Sequence, residues 1–414
     1  MTKHPVYFLI GFLLLFGALP GISQEDILRA CKIETSVNTD LSELIRENNT
    51  MLEQFRSEQF LKNRSDTYIP LVFHFVLESG RDSFSKAEIM SQIEILNECF
   101  SGQNADRSGM PANFREFTNN QFGPLFCLAR RTVNGITEAG INYKFVQESN
   151  FGDLKNPEGK PIIKYEQLGG LDAWDPERFV NIWVGDLEYI QATATLPNSV
   201  PAAELGILID PDYFGIYDKD APQYPFHLGK TLVHELGHFF NLLHLWGSEP
   251  DCDSDDGIED TPLQEFIYTG CPSGEKISCG TADMYMNFMN FTDDECLLFF
   301  TQQQRDRMLQ SIDAFYPKIL EAGNCYFENN TVNVLENIQI KYNPNAGTIR
   351  LELPGPTCDK IQFSLMQMDG KLLMQQNLFC EYLEEIDLNL MPVGIYILFL
   401  RTDDNFILRK LFVY

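Results

Sequence analysis

The sequence predicts two folded units: an α/β (α+β) domain with a mixed sheet backed by helices, then a small β-sandwich. Three observations carry that expectation. Strand-length apolar runs alternate with longer amphipathic stretches up to about residue 243. From Ser248 to Cys296 the chain turns acidic and loop-like, with four cysteines. From about Val334, short alternating runs are divided by turn residues. At 414 residues the chain is too long for one ordinary domain.

Residues 1–23 read as a signal peptide: Lys3 and His4, an apolar core Val6–Leu19, then Gly21-Ile22-Ser23 before Gln24. The core is too short for a membrane span, and no later stretch approaches that length. A secreted mature protein without a transmembrane segment is therefore expected. Residues 24–65 are polar, with helical spacing at Leu41, Leu44, Ile45 and Leu52, and read as a propeptide. Residues 66–325 form the main domain. Tyr68–Leu77 reads as a buried strand, with His74 as a core histidine. Ser85–Phe100 reads as a helix, with Ser85 and Glu88 as a capping box. Ile141–Val146, Phe179–Val184 and Gly206–Asp210 are further strands, and Thr301–Tyr316 is a closing helix.

The chemistry concentrates in Thr231–Gly247, T-L-V-H-E-L-G-H-F-F-N-L-L-H-L-W-G, which holds three of the six histidines. His234 and His238 are one helical turn apart on one face, aiming two imidazoles at one point. His244 reaches that point only if the helix stops near Asn241, a residue type that tolerates the left-handed stop. Three neutral imidazoles leave a fourth zinc position for a water, whose pKa drops toward about 7. Glu235 cannot point the same way as His234; it is placed to take that water's proton and return it to a leaving amine. An amphipathic core helix with incidental histidines is the competing account, but burying three unpartnered imidazoles is costly.

This pattern resembles the elongated zinc motif of the metzincin metallopeptidases. With N-F-M-N-F-T-D-D at Asn287–Asp294, A-W-D-P-E-R-F-V-N-I-W-V before the helix and F-T-Q-Q-Q-R-D-R-M after it, the chain resembles the pappalysin family, in particular its ulilysin-like branch. The resemblance spans about Tyr68 to Cys325. It implies a five-stranded mixed sheet, a structural methionine turn at Met289 beneath the metal, and a strand beside the cleft that pairs with substrate, for which Ala203–Ile209 is the candidate. Two departures stand out: Asn241 replaces a glycine, and Phe291 replaces a tyrosine whose hydroxyl approaches the reacting centre in relatives. In similar zymogens an N-terminal cysteine fills the open metal position, which makes Cys31 a candidate switch; a disulfide, with Cys325 as the candidate partner, is the alternative.

The acidic loop D-C-D-S-D-D-G-I-E-D suits calcium by its density of hard oxygens. By resemblance Asp256 and Thr261 are the candidate ligands; a plain acidic surface loop is the alternative. Four cysteines allow three pairings, and the family pattern implies Cys252–Cys279 and Cys271–Cys296. Cys99–Cys127 is expected as a third bridge, and Cys358–Cys380 as one inside the tail. By the same resemblance Glu295 stands at the floor of the pocket after the scissile bond and would favour a substrate Arg or Lys.

Residues 334–414 carry no titratable cluster. Y-N-P-N-A-G-T-I-R-L, M-D-G-K-L-L, M-P-V-G-I-Y-I-L and L-R-K-L-F-V-Y resemble the C-terminal sorting domain of type IX secretion. That implies the secretion machinery as a partner and an extracellular or cell-surface location. The net charge of −28 argues against nucleic-acid partners and anionic membranes. The reading is a secreted zinc endopeptidase made as a zymogen and acting on proteins or peptides. The alternatives are a weak or inactive zinc-binding adhesion protein, which Phe291 keeps open, and a hydrolase of non-peptide amides.

Overall fold

The computed structural model describes residues 31–36, 40–54, 68–118, 124–133, 136–217, 225–320 and 324–326. In the tail it describes 339–343, 347–352, 361–367, 372–378, 383–388, 391–401 and 406–413. The signal peptide at 1–23 and the Cys358–Cys380 bridge lie outside these residues. The chain divides into two compact units, Met1–Tyr326 and Phe327–Tyr414. Among the described residues no helix is long and apolar enough to cross a membrane.

The first unit runs β1 (Cys31–Glu34), α1 (Leu41–Gln54), β2 (Tyr68–Glu78), α2 (Lys86–Ser101), β3 (Leu125–Val133), β4 (Ile136–Ala139) and β5 (Ile141–Val146). Then come β6 (Val180–Val184), β7 (Ala192–Thr195), β8 (Ile207–Ile209), α3 (Lys230–Phe239), β9 (Ile277–Ser278), β10 (Thr281–Ala282), α4 (Gln302–Phe315) and β11 (Cys325–Tyr326). The main sheet has the order β1-β7-β8-β6-β2-β3-β11, with β4 on β3 and β5 on β2. It is mixed, as expected: β2 is parallel to β3, β5 and β6, and β6 to β8, whereas β7 is antiparallel to β8. The run β7-β8-β6-β2-β3 forms its middle, and β1 and β11 extend the two ends.

β2 is central because both its faces are apolar. Its odd residues, Ile69, Leu71, Phe73, Phe75 and Leu77, join the main core with α2 and α3. Its even residues meet Trp174, Phe179 and Trp183 on the other side, where His74 stacks on Trp183 and bonds Asn181 at 2.9 Å. Burial pushes the His74 pKa down to about 4, so this histidine is a neutral core residue. α2 begins where the sequence marks it: Ser85 and Glu88 cap each other at 3.2 and 2.7 Å, and Gly102 ends the helix left-handed at φ 65°.

Two expectations are corrected. Ile207–Ile209 is an inner strand between β6 and β7, and Ala202–Glu204 is a short turn, so Ala203–Ile209 is not the edge. The small-residue strand β7 stands beyond it, with β1 laid parallel along it. Cys127 bonds Cys325, not Cys99. β11 pairs with β3 in a register that brings Cys325 beside Cys127, whereas Cys99 lies buried on the core face of α2. Cys252–Cys279 and Cys271–Cys296 close as expected.

The second unit pairs a three-stranded sheet, β12 (Gln339–Asn343), β13 (Thr348–Glu352) and β16 (Leu383–Asp387), with a four-stranded one. The latter holds β14 (Ile361–Gln367), β15 (Leu372–Leu378), β17 (Gly394–Arg401) and β18 (Phe406–Val413). Ile349, Leu351 and Ile386 from one sheet share a core with Phe363, Leu398 and Leu411 from the other, which makes a β-sandwich.

Candidate active site

α3 is buried along its whole length. It stops as the sequence requires: Asn241 takes φ 70°, its N–H bonds His238 O at 2.8 Å, and Leu242 N–H bonds Gly237 O at 2.9 Å. This left-handed stop with paired bonds is the Schellman arrangement, and it swings the chain back so that His244 meets the helix.

The three Nε2 atoms lie 3.1–3.2 Å from one another. Their orientation is fixed from behind. His234 Nδ1 donates to Phe288 O at 2.7 Å and His238 Nδ1 to Leu242 O at 2.8 Å, which leaves each Nε2 lone pair facing the common point. His244 stacks on Trp246 at 4.5 Å. Burial pushes the His238 pKa down to about 4, and burial with His238 nearby lowers that of His244 well below its usual value. Burial therefore favours the neutral form of His238 and His244, the form a metal ligand needs. Cys31 Sγ closes the group at 3.2, 3.6 and 3.3 Å from the Nε2 atoms of His234, His238 and His244. Ligand atoms around a tetrahedral zinc stand about 3.3–3.6 Å apart, so this donor set fits that ion. Among the described residues it is the one such cluster of His, Cys and carboxylate side chains.

Met289 lies wholly buried beneath the helix. Gly237 makes the close approach possible, because a Cβ there would sit 2.4 Å from Met289 Sδ. The turn is held by Asn287 and Gln304, whose amides exchange bonds at 2.7 and 3.1 Å. Gln304 also caps α4 with Thr301, and sequence reading had found only the helix. Cys271–Cys296 and the bond from Asp293 N to Gly270 O (3.0 Å) tie the neighbouring loop to this turn. Phe291 lies 4.8 Å from His244 and 5.0 Å from Trp246, ring to ring, a wall without a donor. Glu235 is wholly buried on α3.

The outer candidates divide. Glu295 is exposed on the turn after Met289 and does not form the half-buried floor expected of it. The buried acid there is its neighbour Asp294, whose Oδ2 accepts from Leu228 N at 2.8 Å. Asp256 and Thr261 do meet: the Thr261 hydroxyl donates to Asp256 Oδ1 at 2.7 Å. Asp256 Oδ2 is buried without a hydrogen-bond partner, and burial pushes this carboxyl up to about 7. An orphaned carboxylate oxygen fits a hard cation.

Residues 166–313 match the family model described as pregnancy-associated plasma protein-A, and 342–414 match the secretion system C-terminal sorting domain. The chain is 32% identical to mature mirolysin of Tannerella forsythia, solved with a cleaved peptide, covering 62% of this chain and 97% of that one at a TM-score of 0.56. The chain belongs to the pappalysin family of metallopeptidases. A promirolysin mutant from the same organism matches over 70% of this chain and 97% of its own, with 30% identity and a TM-score of 0.57. An extracellular metalloprotease of Arthroderma benhamiae is 39% identical over 92 residues, 22% of this chain and 34% of its own. An uncharacterised protein of Acanthamoeba polyphaga mimivirus is 25% identical over 315 residues, 68% of this chain and 35% of that protein. The chain thus spans about a third of the length of these curated relatives. Within the pappalysin frame, its tail is that of a secreted or surface protein.

Proposed function

We propose that this pappalysin-family chain is a secreted zinc endopeptidase made as a latent precursor. The convergence of three Nε2 atoms with the Cys31 thiol is the observation that carries the reading. Zinc held by His234, His238 and His244 would supply a Lewis acid that polarises a water and the scissile carbonyl. Glu235 takes the proton on its carboxylate and hands it to the leaving nitrogen. Met289 packs as the floor beneath the imidazoles. Phe291 adds a ring wall but no hydroxyl, so the developing oxyanion gains no help from that side chain.

Cys31 occupies the place a water needs, and β1 covers β7, so one segment blocks both the metal and the strand edge. Residues 24–65 act as a propeptide, and their removal exposes β7 as an edge on which an extended peptide can add. A preference for Arg or Lys after the cut rests on Glu295. Since that carboxylate is exposed, the preference is only severalfold. Asp256 would be the residue to hold a calcium ion, with Thr261 orienting its carboxylate. The tail, residues 334–414, serves export by the type IX machinery.

The test is cleavage of an unstructured protein by the processed chain, with Glu235→Gln as control. The variant should keep its zinc and lose about 10²–10⁴-fold in kcat, and a chelator should stop the wild type. Equal cleavage by the variant would reject the mechanism. A zinc-loaded, folded wild type that cuts nothing would instead favour the second reading, a zinc-binding adhesion protein, for which the missing hydroxyl at Phe291 speaks.

A further inference from the structure

Lys164 is a lysine with a fully buried side chain, and its ammonium bonds the N-terminal segment. Its Nζ donates to Glu34 Oε2 at 2.7 Å and to the Glu204 carbonyl at 2.7 Å, and it lies 5.1 Å from the Trp183 ring centroid. Glu34 is the last residue of β1, opposite Thr195 of β7, while Cys31, three positions earlier, lies opposite Ala192 with its thiol on the histidines. Lys32 of the same strand is fixed by Thr193, whose hydroxyl donates to its carbonyl at 2.5 Å. The pairing of β1 with β7 and the Lys164 contact thus mark two points of one groove, the metal ligands and a buried cation.

The Glu34 side chain is 16% exposed and that of Lys164 0%, so a buried cation meets a carboxylate that still reaches solvent. Burial would push the Glu34 carboxyl up, yet the charge and hydrogen bond of Lys164, with Lys155 and Lys32 farther off, hold it below its ordinary value. If β1 leaves, Lys164 keeps one backbone carbonyl and one ring face but loses its carboxylate. A buried ammonium without a counter-charge is unfavourable, and a chain that brings a carboxylate to it gains what Glu34 gave. The carboxylate of Glu204, whose carbonyl bonds Lys164, already accepts from the Tyr165 hydroxyl at 2.6 Å.

We propose that Lys164 forms a specificity subsite for an acidic substrate residue: an Asp or Glu side chain of the bound peptide replaces Glu34, about three residues along β7 from the bond that is cut. This rests on the reading that β1 is removed and a peptide takes its place. It adds to any preference at the scissile bond a second, opposite one. The favoured peptide carries an acid at a fixed distance from the cut, and a neutral side chain there leaves the ammonium uncompensated.

The experiment uses the zinc-loaded protein, expressed as the full chain and processed with an added protease. Its substrates are quenched peptides with amidated C-termini in which one Glu is walked along a neutral sequence, each paired with its Gln counterpart. One position should give kcat/KM on the order of tenfold or more above its Gln partner, mostly through KM. Lys164→Met should collapse that ratio toward one, and Lys164→Arg should keep part of it. Cleavage of every Glu–Gln pair at equal efficiency would overturn the subsite and leave the peptidase standing. A preference that survives in Lys164→Met would overturn it as well. If no peptide is cut, the peptidase reading fails, and the affinities of the same peptides for the processed protein decide the subsite: equal affinities reject it.

Discussion

Glu34→Gln should loosen the precursor without touching the metal ligands. Breaking a buried ion pair costs about 3–5 kcal/mol where the remaining charge is stranded. Here the cost is smaller, because Lys164 retains the Glu204 carbonyl and the Gln side chain can still accept one bond. An estimate of about 2 kcal/mol corresponds to roughly a thirtyfold rise in the population with β1 detached. Cys31 reports that population, since its thiol is held against the three histidines while β1 is docked. The assay is thiol labelling of the full-length zinc-loaded chain, read at Cys31 by mass spectrometry, where the variant should label about thirty times faster. The pH dependence has a fixed sign. The docked Glu34 carboxyl lies below its ordinary value of 4.5, so its contribution is complete above that pH and fades as the pH falls through the docked value. The protection of the β1 amides, exchange taken relative to the intrinsic rate at each pH, should therefore fall below about pH 4.5 in the wild type and change little in the variant. An unchanged labelling rate in Glu34→Gln would refute the argument that Lys164 anchors the segment.

Three other changes test other parts of the architecture. Gly237→Ala puts a methyl into Met289 Sδ, and it should lower stability by about 1–3 kcal/mol and reduce zinc retention on dialysis, both measurable in one thermal series with metal analysis. Thr301→Ala removes the α4 cap and the bond from its hydroxyl to Asp260 at 2.6 Å. A loss of about 1–2 kcal/mol in denaturant unfolding is expected. Calcium should raise the melting temperature of the wild type and leave Asp256→Asn unmoved; an equal rise in both would place the cation elsewhere.

How far the sequence could be read depends on the range of each interaction. The convergence of the three histidines was legible because a helix fixes the relation of His234 to His238 over four residues, and Asn241 announces the stop that returns His244. The start of α2 was legible for the same reason, since the side chains of Ser85 and Glu88 each accept from the other's backbone N–H. Beyond such local rules the reading faltered. Ile207–Ile209 is an apolar triplet that would look the same inside a sheet or at its edge. Its inner position is set by β7, whose A-T-A-T is short, built of small residues and buried at every position, so it lacks the apolar weight that marks a strand. Glu295 and Asp294 are adjacent acids, and only the turn after Met289 decides which is buried.

The same distinction separates the catalytic from the latent features of this chain. C-K-I-E at Cys31–Glu34 alternates apolar and charged residues over only four positions, too short a run to hold as a strand by itself, and β7 lends it partners. Its two anchors lie 203 and 130 residues away, at His234 and Lys164. A segment that must later leave cannot hold its shape by local propensity alone, for then it would carry its own stability away rather than yield the groove. On the proposed reading latency rests on borrowed contacts, a thiol on the imidazoles and a carboxylate on a buried ammonium. By the same proposal, a peptide that reproduces the second contact while presenting its carbonyl at the first is the substrate that should displace β1 to greatest effect.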